Sequence, residues 1–429
     1  MIFFPGFYQD RHMLYPYRKN NYELRTHDEF VATARLAEDR QTKRKNAGSI
    51  DGVKGLSPLL QIFEYPKQII FDYMHLSCIG HMATLINRWL SVLNKETLAH
   101  INAQLFSQRF THNMSVRFNY PLHLCGDWKA KHFRIFLLCI GVPLMLKHLP
   151  SIVASHFSLY SMFIKLLHNP NSIEEIQLAD QIIHYYCKTA THVYGESIEL
   201  FSLHAHLHLP QQVLNHGGLS FTSAFCFESA IRYLKKKAHG TKDLATQIAD
   251  WISVERTIKK QSFEVFKSTG LNQMDINDRN FDVYRKIFLN NIHLLNENEN
   301  DVVLFLRYRD TFNIYHTLLY DLPYTCVSYI ISYGAVDASI QYGQVIVFFK
   351  LREDYYALIR EYKFTGRNLS DLLSIPTKFE QKLNEIFPMR VLSDSYSIVP
   401  VQSICHKCIQ VAYDNLFFLS EVRVDYEHD

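Results

Sequence analysis

HAHLHLPQQVLNHGGLSFTSAFCFESAIRYLKK, His204 through Lys236, is the stretch whose reading decides the fold. It opens on a His-x-x-x-His pair, His204 and His208. A glutamate, Glu228, follows 228 − 208 = 20 residues later on an apolar helical pattern, and Lys235, Lys236 and Lys237 close it. On a helix, positions four apart share a face, so the imidazoles of His204 and His208 can reach one Zn²⁺ while His206 points elsewhere. Two ligands do not complete a tetrahedral site, and the other two, ideally a Cys-x-x-Cys, have to come from outside the segment. A histidine-rich helix end, or histidines packed in a core, would give the same spacing.

Ala224, Phe225, Glu228, Ile231 and Arg232 fall on one side of the expected helix. A carboxylate on such a face needs a partner or a metal. Arg232, four residues on, is the local candidate for an ion pair. Upstream, Asp72 and His75 in Phe71-Asp-Tyr-Met-His75 lie three apart. They suit a metal pair, a helix cap or an acid–base couple. Cys405-His-Lys-Cys408 is a lone Cys-x-x-Cys, half a zinc site by itself. The chain carries no phosphate-binding loop, dinucleotide fingerprint or Gly-x-Ser-x-Gly.

With 429 residues, 48% of them apolar, the chain can build one large or two ordinary cores. A formal charge of +3 is close to balance, so binding to nucleic acid would need local basic patches. Such runs occur at 17–25, 40–45, 235–237 and 259–260, each of which could equally be a solvated face. Eight scattered cysteines do not form a secretory disulfide framework, which suggests reduced thiols inside a cell. The start, MIFFPGFYQDRH, does not read as a signal peptide, and the apolar run from Phe136 to Leu146 is too short to span a bilayer. No membrane association is expected.

The expected organisation has three parts: an irregular basic entry segment at 1–55, a helical body at 56–296 and a β-rich module at 297–429. Helical steps of three and four recur from Met82 to Val92, Phe133 to Leu146 and Ile152 to Leu167. Ser172 is placed to cap a helix, with Glu175 returning a bond to the Ser172 N–H, and Gly195 to end it. After residue 300, Val302–Leu306, Cys326–Ile331, Gln344–Phe349 and Leu416–Leu419 read as strands, with Tyr342-Gly343 as a turn into the third. The fold class is therefore mainly α, followed by a smaller β-rich or α+β module.

Several short segments, in order, resemble the transposases of the CACTA (En/Spm) group, particularly their animal relatives. They are Leu24-Arg-Thr-His-Asp-Glu-Phe30, Gly55-Leu-Ser-Pro-Leu59, Phe71-Asp-Tyr-Met-His-Leu76, and Trp128-Lys-Ala-Lys-His-Phe-Arg134 with Leu137-Leu138. The series continues with Leu203-His-x-x-x-His-Leu-Pro210, Ser223-Ala-Phe-x-Phe-Glu-Ser229, Leu234-Lys-Lys236, His239-Gly-Thr241 and Tyr426-Glu-His-Asp429.

The resemblance implies a DDE recombinase: an RNase H-like core whose three carboxylates hold two Mg²⁺ ions for phosphoryl transfer. It also implies a helical, zinc-binding insertion before the third carboxylate, and work on DNA in the nucleus. His204 and His208 match the histidine half of the zinc site, Glu228 the third carboxylate, and Asp72 and His75 a motif of unassigned role. The first two aspartates and the Cys-x-x-Cys are expected upstream of Gly6, and Cys405 and Cys408 stand in the wrong place to replace them. The expectation is a truncated transposase fragment without strand transfer that keeps DNA binding, through Lys235, Lys236 and Lys237 among others. One alternative is a recruited interaction protein that binds a protein partner through 297–429. Another is the back half of an active DDE transposase, or a nuclease whose site is completed by a second polypeptide carrying the missing aspartates; an oligomer is possible.

Overall fold

A computed structural model describes residues 7–9, 12–17, 25–43, 48–114, 116–240, 242–260, 268–294, 302–311, 313–320, 326–335, 337 and 339–423. Of the stretches named above, Gly6, Leu24, Arg44, Lys45, Thr241 and Tyr426–Asp429 lie outside the described residues, as does most of the 17–25 run. In chain order the elements begin with β1 (Phe7–Gln9), β2 (His12–Leu14), α1 (His27–Lys43), α2 (Ala83–Leu90), α3 (Lys95–Ser107), α4 (Ala130–Ile135) and α5 (Gly141–Met145). Helices α6 (Ser151–His168), α7 (Ile173–Tyr194), α8 (Phe201–Ala205), α9 (Leu209–His216), α10 (Ala224–Lys235) and α11 (Leu244–Lys260) follow. Then come β3 (Thr269–Met274), α12 (Asp282–Leu294), β4 (Val302–Arg309), β5 (Ile314–His316), β6 (Ile330–Gly334), β7 (Ile340–Leu351) and β8 (Asp354–Lys363). Last are α13 (Thr377–Ile386), β9 (Met389–Pro400), β10 (Ile404–Tyr413) and β11 (Leu416–Glu421).

A helical part thus precedes an antiparallel sheet, but the compact units interleave along the chain. One comprises 1–92 and 150–224; the other comprises 93–149 and 225–429. The sheet also begins with β3, well before residue 297.

In the first unit α6 is buried nearly all round, from Ala154 to His168. Helix α7 lies against it and buries one stripe, Ile176, Ala179, Ile183 and Tyr186 included, as the 3.6-residue period requires. The Ser172 hydroxyl accepts the Glu175 N–H at 3.4 Å. The Glu175 carboxylate returns its bond to the Asn171 N–H at 2.8 Å, one residue earlier than expected. Gly195 ends the helix at φ +79°, a left-handed conformation that suits glycine. Helix α1 stands where an irregular segment was expected. Thr26 and Glu29 close a capping box, with the Thr26 N–H donating to Glu29 Oε2 at 2.9 Å and the Glu29 N–H to Thr26 Oγ1 at 3.3 Å. Its buried residues are only Ala34 and Ala37, which leave no strong apolar period to read.

In the second unit all sheet pairings are antiparallel. The strand order β7-β6-β10-β11-β9-β8 returns to β7 through the β7–β8 pairing, so six strands close a ring. Closure removes the exposed edges that invite misassociation. Inside it the Tyr362 hydroxyl donates to Gln410 Oε1 at 2.5 Å and accepts from Gln344 Nε2 at 2.9 Å. Strands β4, β3 and β5 extend the sheet beyond β7. Helix α12 covers them, burying Phe281, just ahead of it, and Phe288 and Ile292 against Leu304 and Phe349.

Tyr342-Gly343, read as a turn, lies inside β7. Gly343 is there for proximity: a Cβ at this position would meet Ile359 Cγ2 at 2.0 Å and Arg360 O at 3.1 Å. Gly343→Ala is expected to destabilise the protein by about 1–3 kcal/mol through overpacking. Gly55→Ala, where nothing lies within 4 Å, should stay within about 0.5 kcal/mol. Denaturant titration of the two variants compares them directly.

Candidate functional site

Phe71-Asp72 is held from two sides. Gln212 on α9 clasps the backbone of Phe71, accepting its N–H at 2.7 Å and donating to its C=O at 2.9 Å. The Phe71 ring stacks on His208 with centroids 5.8 Å apart. Asp72 then ends one segment and starts two others. Its Oδ1 accepts from Met74 N at 3.3 Å and Ala224 N at 2.7 Å. Its Oδ2 accepts from His75 N at 3.1 Å and pairs with His75 Nδ1.

The carboxylate thus caps the π-helical turn Met74–Met82 and also the first residue of α10. A carboxylate has about four lone-pair sites, and Asp72 uses all of them on N–H groups. It is a cap and a clasp, with nothing left for a metal. The His75 imidazole, largely exposed, is oriented by Asp72.

His204, His206 and His208 follow on α8 and the 3₁₀ turn after it. His206 is fully buried and satisfied: Nδ1 meets Ser202 O at 2.5 Å, and Nε2 meets Ser77 Oγ and Tyr160 OH at 2.9 Å each. His204 stacks on Tyr15 and meets His208 edge to face at 5.3 Å. Burial pushes His204 down to about 4 and His206 to about 4; burial and then the neighbouring His204 push His208 to about 3. All three are therefore neutral near pH 7, the form that packs in a core and also the form that ligates.

The i,i+4 pair does exist, and His208 Nε2 is buried with no hydrogen-bond partner. Among the described residues, however, no third His, Cys, Asp or Glu joins the pair. The pair has the donor chemistry of half a zinc site, and no further ligand stands with it among the described residues. Cys405 and Cys408 lie on β10, one exposed and one buried, with a register irregularity at Cys405, and no described cluster of three ligands includes either.

Glu228 lies on α10 in the second unit, on an exposed face. Phe225 is the buried residue of that helix, under the Arg134 guanidinium at 4.5 Å. Exposure removes the cost that would have required a partner for Glu228. Among the described residues no group of three metal-ligating side chains includes Glu228.

Lys235 and Lys236 are exposed at the end of α10, as is Arg232 one turn earlier. Lys237 is engaged instead: with Tyr233 it binds Glu255 of α11, and its ammonium lies over the Tyr233 and Trp251 rings at 4.7 and 5.9 Å.

Sequence reading missed one cluster. His112, His316 and Cys326, in the second unit, each offer a ligand atom within 4.8 Å of the others. They are separated by 316 − 112 = 204 and 326 − 316 = 10 positions, and no motif spacing could have joined them.

No family model, curated protein or solved structure matches this chain.

Asp72→Ala is expected to cost about 1–4 kcal/mol, the sum of two caps at about 0.5–2 kcal/mol each. Glu228→Ala should stay within about 0.5 kcal/mol; equilibrium unfolding of both variants tests the contrast.

The buried histidines also set a pH dependence. Their folded values lie below the ordinary 6.5, so the unfolded chain binds more protons as pH falls. The stability they leave intact above pH 6.5 is lost progressively as pH falls from there through about 4 for His204 and His206 and about 3 for His208. The melting temperature should drop across that window, and His206→Gln should flatten the drop.

Proposed function

We propose that the chain is a transposase-derived DNA-binding protein without strand-transfer activity, whose contacts to the duplex are made to phosphate by exposed cations of α10. The observation that carries the reading is the exposure of Arg232 and Lys235 on the last turn of that helix and of Lys236 directly after it. Such side chains release counterions from DNA when they pair with phosphate, which gives affinity without base readout. The ordered resemblance to CACTA-group transposases supports DNA as the polyanion. Binding is favoured over chemistry because Asp72 serves as a cap and, among the described residues, Glu228 belongs to no cluster of three metal-ligating side chains.

A protein partner is the second reading, and one observation favours it. Phe227 and Ile231 on α10 and Trp251, Val254 and Ile258 on α11 are all more than two-fifths exposed. These side chains lie before the 297–429 module that the sequence had singled out for partner binding.

Fluorescence anisotropy with a labelled duplex in a salt series tests the first reading. Affinity should fall steeply with salt, with a logarithmic slope of about −0.9 per phosphate contact. Replacing Arg232, Lys235 and Lys236 by Glu should abolish binding, while Lys237→Gln should change it little. Absence of binding at low salt, or a triple variant that binds unchanged, would remove the proposal.

A further inference from the structure

His112, His316 and Cys326 come from three separate stretches and are brought together by one residue. The segment Phe110–His112 runs beside Cys326–Ser328: Phe110 bridges Cys326, and the Val327 N–H donates to Phe110 O at 3.0 Å. Ser328, fully buried, then ties the site. Its Oγ accepts the His112 N–H at 2.9 Å, and its carbonyl accepts the His316 N–H at 3.2 Å. The same Oγ lies 2.9 Å from both His112 Nδ1 and Cys326 Sγ. That hydroxyl can donate to Nδ1 while it accepts from the His112 N–H and the Cys326 thiol, so it holds all three groups at one point without itself being a ligand.

We propose that His112, His316 and Cys326 form a binding site for a borderline-soft divalent cation, zinc being the type, with water as the fourth ligand. Two imidazoles and a thiolate suit Zn²⁺ and not Mg²⁺ or Ca²⁺, which take oxygen. Tetrahedral zinc, with Zn–N of about 2.0–2.1 Å and Zn–S of about 2.3 Å, sets its ligand atoms about 3.3–3.6 Å apart. His316 Nδ1 and Cys326 Sγ are 3.9 Å apart, within a few tenths of an ångström of that requirement.

The imidazole rings of His112 and His316 lie face to face at 4.6 Å. They must fan about Cβ–Cγ for both lone pairs to meet one ion. His112 is the more exposed of the two residues, though its ring is partly covered, and it gives the ion its way in, while His316 is 4% exposed.

Both rings are already in the ligating, neutral form. His112 is held at about 4 by burial, then Lys407 and Arg307; His316 is held at about 3 by burial, then His112, Arg307 and Lys407. Those two cations oppose a bare dication. Binding, however, places a thiolate on the ion: the Cys326 thiol loses its proton to solvent as the S–metal bond forms and a metal-bound water leaves. No electron is exchanged. Both cations also have partners of their own, Lys407 at Asn313 Oδ1 (3.3 Å) and Arg307 at Asn272 Oδ1 (2.7 Å). The bound ion would pin the loop at His112 to the sheet at β5, closing a span of 204 residues.

The test uses the full chain with Co²⁺ as probe. The expected result is a thiolate-to-cobalt charge-transfer band with visible bands of tetrahedral intensity. Cys326→Ser should remove the charge-transfer band. His112→Gln and His316→Gln should each weaken binding by about tenfold or more. A His204→Ala/His208→Ala double variant should leave the band intact. No band at stoichiometric cobalt, or one that Cys326→Ser retains, overturns the proposal.

Thiol alkylation of the unaltered protein, read by mass spectrometry, does not depend on how the variants fold. Zinc should protect Cys326 while the exposed Cys226 and Cys405 react at unchanged rates. Equal alkylation of Cys326 with and without zinc overturns the assignment.

Discussion

A buried imidazole has to be neutral, and the helical unit gives each of three such rings a hydrogen-bond partner on at least one nitrogen. His81 on the π-helical turn meets the Tyr186 hydroxyl of α7 at 2.8 Å. His156 on α6 donates its Nε2–H to the Tyr186 carbonyl, 3.0 Å away, and stacks on the ring of the same tyrosine at 3.9 Å. His206, between Ser77 and Tyr160, completes the set. Burial alone pushes His81 well down, and His206 and His156 beside it push in the same direction. Four helical segments are thus located by polar contacts in a region with little water, where an unmet group is expensive. The apolar packing of α6 against α7 supplies most of the burial; the imidazoles determine the register in which it occurs.

Much of this architecture could be read in the sequence, and the failures have physical causes. Helices at Met82–Val92, Phe133–Leu146 and Ile152–Leu167 were legible because their faces are deeply buried, which makes the period strong. Helix α1 was not, because alanines on its inner face carry no such signal. The strands at 302–306, 344–349 and 416–419 were visible as apolar runs. Strands β8, β9 and β10 were not, since Arg360, Asp394, Ser395 and Lys407 interrupt them. Gly343 looked like a turn because the reason for a glycine there is the approach of Ile359 from the next strand, a fact no local window contains.

The site residues divide in the same way. Asp72 was legible as a possible cap, and it is one; that it also holds Ala224, 152 positions away, was not. The spacing of His204 and His208 correctly placed two rings together, but spacing says nothing of burial or of absent co-ligands. For Glu228 the apolar pattern suggested a buried face, whereas Ile231 nearby is 52% exposed, so periodicity had marked a surface stripe. The cluster at His112, His316 and Cys326 depends wholly on tertiary approach. Binding by exposed cations and apolar side chains of α10 and α11 needs less from the sequence than catalysis does, because it asks for exposure and not for an assembled set of groups.

The interleaving of the two units has a consequence for synthesis. Residues 93–149 leave the ribosome before any of 225–423, the strands and helices with which they share a unit. The apolar side chains from Phe133 to Met145, buried in the finished protein, therefore wait through at least 225 − 149 = 76 further residues. At about 5–20 residues per second that is roughly 4–15 s of exposure. Over the same interval the first unit receives its last segment, 150–224, and can close while the second is still open. The order of the chain makes the helical unit the earlier product of translation. It also makes the segment around α4 and α5 the part of the nascent protein most in need of a chaperone.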